Sequence, residues 1–340
     1  MGSIYGGWAT PTEAAALGVV AASVVAALNR KLTVKMLHEC FLSMARTTAM
    51  IMLIIVAAFF LNYIVGILGI LKAGGAYVAL DPDYPPLSYA CDDAHRQGGL
   101  VIWCHNGRGM EAPVAAALGK LDAFNLFDPN WDDPEYDIYY RMLNAGLRLP
   151  LSTGSDWFIS SANRVYTHTD GPFQYETWVE SLKQGRTFIT NGPALFLTIE
   201  GHEQGSQIDA GPPGRHLSSL VSWQSHYPIH RVELIFNGRI VAKEEFSEGS
   251  TDGHLEADVA VPSDGWVAAR LASNSRDSFY QPIFAHTSPV YVSFGNKPIR
   301  IAADLTAMAD YVRILMEVYD RRGDFASRDQ RVHMMSNLGK

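Results

Sequence analysis

The sequence predicts an α/β body followed by a β-rich module, with one or two hydrophobic, transmembrane-like helices ahead of both, and three observations carry that fold class. Apolar residues fill 47 of the first 71 positions, about two thirds, against about 43% of the remaining 269. Between residues 99 and 153, short continuous apolar runs end in polar loops and alternate with a helical stretch, the rhythm of parallel strands and crossover helices. From residue 231 on, strand-length segments flank Asn237-Gly238, the strongest two-residue hairpin signal. A chain of 340 residues, 48% apolar, is long enough for about two domains with buried cores, so disorder is excluded.

Charge follows the same division. Lys+Arg 27 against Asp+Glu 35 gives a net charge of -8, which excludes a basic grip on nucleic acid. Up to Leu71 the balance is +2, leaving -10 for an acidic, soluble body. Cys40, Cys91 and Cys104 are an odd set without CxxC spacing, so they support neither a disulfide framework nor a zinc ribbon.

Met50 to Leu71 (MIMLIIVAAFFLNYIVGILGIL) is a 22-residue run with Asn62 as its strongly polar interruption. As a helix it would span about 33 Å, a membrane-crossing length. Ala14 to Leu28 is apolar on every face but shorter, and reads either as a second crossing extended back to Pro11 or as a buried helix. The connection NRKLTVKMLHECFLSMARTT carries four basic residues and one acid, which by the positive-inside bias places it in the cytoplasm and the acidic body outside. Met1 to Trp8 lacks the basic start of a cleavable signal, and Gly6 breaks the myristoylation pattern.

GSIYGGWATPTEAAALG, continued by LNRKLT, ARTTAMIMLI and FFLNYIVGILGI, resembles the large permease component (DctM-type) of tripartite ATP-independent periplasmic (TRAP) transporters over about residues 2–70. A Gly-rich turn before a helix start supplies carbonyls and hydroxyls of the kind that hold Na⁺ or an anionic substrate, which makes Thr10 and Thr12 candidate ligands. The local alternative is that Thr10 caps the helix, Pro11 opens it and Glu13 complements its dipole. Residues 71–94, LKAGGAYVALDPDYPPLSYACDDA, resemble a core motif of nonribosomal peptide synthetase adenylation domains, with Ala79 where the family usually has Pro. No Ser/Thr/Gly-rich phosphate loop ending in Lys occurs, so ATP-dependent acyl activation is excluded and the segment reads as a linker.

In the body, GLVIWC (99–104), LDAFNLF (121–127) and Leu149–Thr153 read as buried strands, with a helix from Tyr136 to Ala145 stopped by Gly146. His105 and Asp156 follow the first and last of these strands, at the carboxyl ends where βα barrels place their chemistry. Imidazole and carboxylate suit zinc, manganese or iron. Each also has an ordinary reading as a loop or turn residue, and no HxH or HExxH spacing decides between them.

VIWCHNGRGMEAP, LDAFNLFDPNWDDPEYDIYYRMLNAGLRLPLSTGSDWF, NRVYTHTDGPFQYETWVESLKQGRTFITNGPALFLTIEG and FAHTSPVYV resemble the second half of CehA/McbA-type metallohydrolases of the polymerase-and-histidinol-phosphatase (PHP) superfamily, over about residues 95–340. The resemblance implies a partial PHP-like βα barrel over residues 95–198, a β-sandwich over 199–300, and a carboxyl-terminal helix and tail over 301–340. It implies a divalent metal at His105 and Asp156, with Arg164 and Tyr166 facing a small ester, carbamate or phosphoester substrate. The family's opening strand and its further His and Glu ligands are missing here, and Trp157 and Phe158 stand where a late histidine often follows. Two ligands hold a catalytic metal poorly, so hydrolysis is expected to be weak or dead. In the β-rich part, RVELIF and RIVAKEEF flank the hairpin, followed by HLEADVAV and GWVAARLAS, a sandwich pattern. His286 reads as core packing. Leu305, Met308, Val312, Leu315 and Tyr319 recur at helical spacing and predict a docking helix from Asp304 to Tyr319.

Overall fold

The computed structural model describes residues 11–50, 52–53, 87–104, 111–127, 135–155, 161–211, 214–295, 298–323 and 327–339. The chain divides into two compact units, residues 1–72 and 73–340.

In the first unit, helix α1 (Pro11–Leu28) opens on a proline, tolerated at a helix start because its missing N–H would have no partner there. It ends where Arg30 turns into the left-handed region (φ 55) and Lys31 N–H donates back to the Ala26 carbonyl at 2.9 Å. A second helix, α2, covers 34–50. The Thr33 Oγ1 accepts the Met36 N–H at 3.2 Å, an N-cap bond. The basic stretch expected to be a cytoplasmic connection is therefore mostly helix.

These residues correct the membrane-spanning expectation. The 18 residues of α1 rise about 27 Å, short of a ~30 Å hydrocarbon core. No helix among the described residues is long and apolar enough to cross a membrane. Of the run from Met50 to Leu71, only Met50, Met52 and Leu53 are described. With no crossing helix among the described residues, the positive-inside argument for a body outside the cytoplasm loses its basis. Both helices leave large apolar side chains in solvent, among them Val19, Val20, Val34 and Phe41, each 60% or more exposed.

The second unit begins with α3 (Leu87–Arg96), then β1 (Ile102–Trp103), α4 (Ala112–Ala117), β2 (Ala123–Phe127), α5 (Tyr136–Asn144) and β3 (Leu151–Thr153). The three strands form one parallel sheet in the order β1-β2-β3. All five residues of β2 are buried, which a strand covered on both faces requires. α5 stops at Gly146 (φ +93), where a Cβ would meet the Ile299 carbonyl oxygen at 2.6 Å.

After β3 the parallel pattern ends. Strands β4 (Arg164–Thr167), β5 (Thr187–Thr190), β6 (Ala194–Ile199), β7 (His202–Glu203), β8 (Gln207–Asp209), β9 (Arg215–Phe236), β10 (Arg239–Val261), β11 (Gly265–Arg276), β12 (Pro282–Thr287) and β13 (Val290–Ser293) form one sheet, largely antiparallel. Its main path runs β4-β5-β12-β11-β9-β6-β7, and the helix α6 (Tyr175–Lys183) bridges β4 and β5. The expected barrel and sandwich are both corrected by this. Three short parallel strands do not make a PHP-like barrel. β4, β5 and β6, expected in that barrel, belong to the antiparallel sheet, which is a single curled layer and not two stacked ones.

The curl comes from β9 and β10. Asn237 (φ 48) and Gly238 (φ 82) make the left-handed pair of a type I′ turn, as their dipeptide requires. β9 pairs β10 along its length and, on its other edge, first β6 (residues 219–224) and then β11 (residues 231–236). Pro228 lies between these stretches, and facing it the β10 register shifts between Glu245 and Ser250, a bulge that bends the ribbon.

Alternation along β9 buries both faces. Leu234 and Phe236 enter the core inside the curl with Leu195, Trp223, Val267 and Val292, while Ile235 joins Phe127, Tyr139, Met142 and Trp266 under the parallel sheet and α5. Asn144 pins the two layers, accepting the Trp266 Nε1–H at 2.8 Å and donating to Asp304 at 2.8 Å. Asp304 opens α7 (Ala302–Arg322), which buries Leu315 against Val114 and Leu338 of α8 (Arg328–Leu338). Of the side chains whose spacing predicted this helix, Leu315 is buried, Met308, Val312 and Tyr319 are partly buried, and Leu305 is exposed.

Candidate functional site

His105, Asp156 and Thr10 lie outside the described residues, and of Thr12 only the helical backbone is described. The strands ahead of His105 and Asp156 both run to the carboxyl end of the parallel sheet but are its two opposite edge strands. β2 stands between them, which separates their axes by about 10 Å. Among the described residues no group of three or more His, Cys, Asp or Glu side chains is placed to hold a metal ion. The two implied ligands, His105 and Asp156, are not among those described residues, and no chemistry is routed through the implied metal.

Arg164 and Tyr166 share one face of β4, but only Tyr166 faces a cavity. The Arg164 guanidinium turns back, donating to the carbonyls of Ser161 (2.9 Å) and Asn163 (2.7 Å), and so ties the loop before the strand. Tyr166 stands directly opposite Phe188 in the β4–β5 register, and their rings stack at 5.1 Å and 14°. Phe188 also meets Phe196 of β6 edge-on, at 5.4 Å and 71°. β5 and β6 are four places apart in the sheet path, so this contact exists because the sheet curls its two ends toward each other.

The seam between those ends holds a cavity of about 610 Å³ lined by Tyr166, Thr167, His168, Phe188, Phe196, Glu203 and Gln204, among others. That volume lies within the ordinary range of small-molecule sites. Side chains close the seam where backbone pairing does not. The Glu203 carboxylate takes His168 Nδ1 at 2.5 Å on one oxygen and Arg186 Nε at 2.6 Å on the other. Arg186 also donates to Asp170 at 2.8 Å, and this bond holds the exposed Asp170 carboxyl below its ordinary range. Gln204, almost wholly buried, accepts the Leu197 N–H at 3.3 Å and caps part of the β6 edge. Tyr166 and Phe196 remain about half exposed, 53% and 49%.

Of this constellation the sequence reading reached Tyr166. Phe196 sits in ALFLTI, an apolar run in which alternation is invisible, and His168 and Glu203 are 35 positions apart. His286 is the packing residue its context suggested. It is fully buried, with Nδ1 against the Thr287 carbonyl and Nε2 against the Tyr140 hydroxyl, each at 2.7 Å. Cys91 is buried, and desolvation with Asp92 beside it pushes its thiol up to about 11, which leaves it a poor nucleophile.

Residues 1–78 match the family model of the tripartite ATP-independent periplasmic transporter, DctM component. Two proteins of Brevibacillus parabrevis share further stretches. A linear gramicidin synthase is 64% identical over 36 residues, 10% of this chain and 1% of that protein. Tyrocidine synthase 3 is 36% identical over 96 residues, 27% of this chain and 1% of that protein. The chain spans about 1% of the length of these curated relatives. No solved structure matches. The chain thus carries segments similar to two unrelated classes of protein, a membrane permease and peptide synthetases, and none of these similarities is to a metallohydrolase.

Proposed function

We propose that the chain is a composite in which a TRAP-permease fragment supplies membrane association through residues 11–71 and the β-rich unit is a passenger that does not transport. The observation that carries this is the match of residues 1–78 to the permease family. The exposed apolar side chains of α1 and α2 agree with it, because a permease segment expects lipid or neighbouring helices on those faces. Na⁺ or anion binding at Thr10 and Thr12 belongs to this reading. Alternating access needs an opposing repeat that a segment of this size does not provide. The full chain should therefore co-float with phospholipid vesicles on a density gradient and give no Na⁺-dependent uptake into them. A chain that does not float with the vesicles would overturn the membrane part, and Na⁺-dependent uptake would overturn the rest.

A second reading is favoured by the seam cavity. The β-rich unit binds a small molecule over Tyr166, and hydrolysis through His105 and Asp156 is not part of it. The test is saturation-transfer NMR of the full chain with p-cresol, a minimal ring probe. Transfer to the probe that is lost in Tyr166→Ala supports the site, and no transfer at all overturns it.

A further inference from the structure

We propose that the seam cavity takes a neutral saccharide ring, an inference that rests on reading the cavity as a small-molecule site. The shape of the aromatic surface is the first argument. Tyr166 already stacks one face on Phe188, so it offers a single outer face and not a slot between parallel rings. Phe196 stands steeply to that pair, since Phe188 and Phe196 cross at 71°. Together the half-exposed rings of Tyr166 and Phe196 make a floor and a wall. A flat heterocycle fits best between parallel faces. A puckered pyranose, whose axial C–H bonds lie against one ring face while its rim meets a second, fits a corner.

Charge is the second argument. Glu203 and Asp170 share the Arg186 guanidinium, so the polar end of the cavity holds no cation left over for a phosphate or carboxylate. Glu203 Oε1 lies 2.6 Å from both Nε and Nη2 of Arg186, whereas Oε2, which takes His168, keeps a lone pair for a ligand hydroxyl. His168 Nδ1 lies against both Glu203 and Arg186, and the ring adds a further polar edge to this end of the cavity. Acceptors at one end and aromatic faces at the other match the two sides of a sugar, hydroxyls at the equator and C–H bonds on the face.

The test is saturation-transfer NMR of the full chain with the methyl glycosides of glucose, galactose and mannose, with glucuronate as the charged control. At least one neutral glycoside should receive saturation on its ring C–H protons. Tyr166→Ala should weaken it about tenfold, as expected for loss of a stacking partner, and Tyr166→Phe should retain it because the ring face is unchanged. Near-UV circular dichroism checks that the alanine variant keeps its packing, and Phe196→Ala replaces it if it does not. Binding of p-cresol with no transfer to any glycoside would overturn the saccharide assignment and leave the cavity reading standing, whereas silence from both probes would overturn both. Glycoside binding untouched by loss of either ring, or glucuronate bound more tightly than the glucoside, would also overturn it.

Discussion

Acid should destabilise the β-rich unit through His286. Its ring is fully buried with both nitrogens engaged, Nδ1 donating to the Thr287 carbonyl and Nε2 accepting the Tyr140 hydroxyl, so the folded state holds the neutral imidazole. Burial pushes its pKa from 6.5 down to about 3. The folded state binds the proton more weakly than the unfolded chain. The contribution is therefore complete above pH 6.5 and is lost as pH falls from 6.5 toward 3. At 1.36 kcal/mol per pH unit, the full shift corresponds to about 5 kcal/mol, of which about 2 is gone by pH 5 and about 3 by pH 4. The assay is urea unfolding of the full chain in mild detergent at pH 7, 5 and 4, followed by near-UV circular dichroism, because Trp266 packs on Tyr140 at 4.9 Å beside this histidine. His286→Gln should be less stable at pH 7, leaving the Tyr140 hydroxyl poorly matched, and the gap to wild type should close by about 3 kcal/mol at pH 4. Parallel pH profiles for the two proteins would refute the reasoning, since all other titrating groups are common to both.

Other predictions follow from single sites. Glu233, 3% exposed, holds Arg270 Nε at 2.5 Å and Arg231 Nε at 3.1 Å. Glu233→Gln strands a largely buried guanidinium and should cost about 3 kcal/mol by urea unfolding, and a loss under 1 would show the pair to be solvated. At Gly205 (φ +86) an added Cβ would sit 2.5 Å from the Gln184 carbonyl oxygen and 2.6 Å from the Gly185 carbonyl carbon, so Gly205→Ala should fail to fold or lose about 3 kcal/mol or more. Gly211→Ala, at φ +70 in open space, should cost only about 1 kcal/mol, and equal costs in thermal melts would refute the steric argument. After zinc loading and dialysis, elemental analysis should find well under one ion per chain. One ion per chain, lost in His105→Ala and Asp156→Ala, would refute this and locate a metal centre at those two residues.

Legibility in the sequence tracked the range of the interactions. Leu121–Phe127, Tyr136–Ala145 and Leu149–Thr153 lie within a residue or two of β2, α5 and β3, because a buried run and a glycine stop at Gly146 are local signals. Past β3, Arg164–Thr167 and Thr187–Thr190 look no different as strings from strands of a parallel barrel, yet they pair antiparallel with each other, and the second pairs antiparallel with β12. Nothing local distinguishes a strand of a barrel from a strand of a curled sheet. The same limit hid the seam: Tyr166 stood out only through the family resemblance of NRVY, and Glu203 becomes its neighbour only when both ends of the sheet path are brought together.

Composition, hydrophobic runs and turn chemistry determined the break between an apolar amino-terminal segment and an acidic body, the hairpin at Asn237-Gly238 and the helix facing inward through Leu315. Each depends on side chains within a few positions of one another. The tertiary structure alone decided that, among the described residues, the β1-β2-β3 sheet stops at three strands, that β9 changes partner around Pro228, and that the candidate site lies at a seam. These are choices of partner across tens of residues, set by which faces can be buried together once the sheet bends. A single run of residues carries no record of that bend.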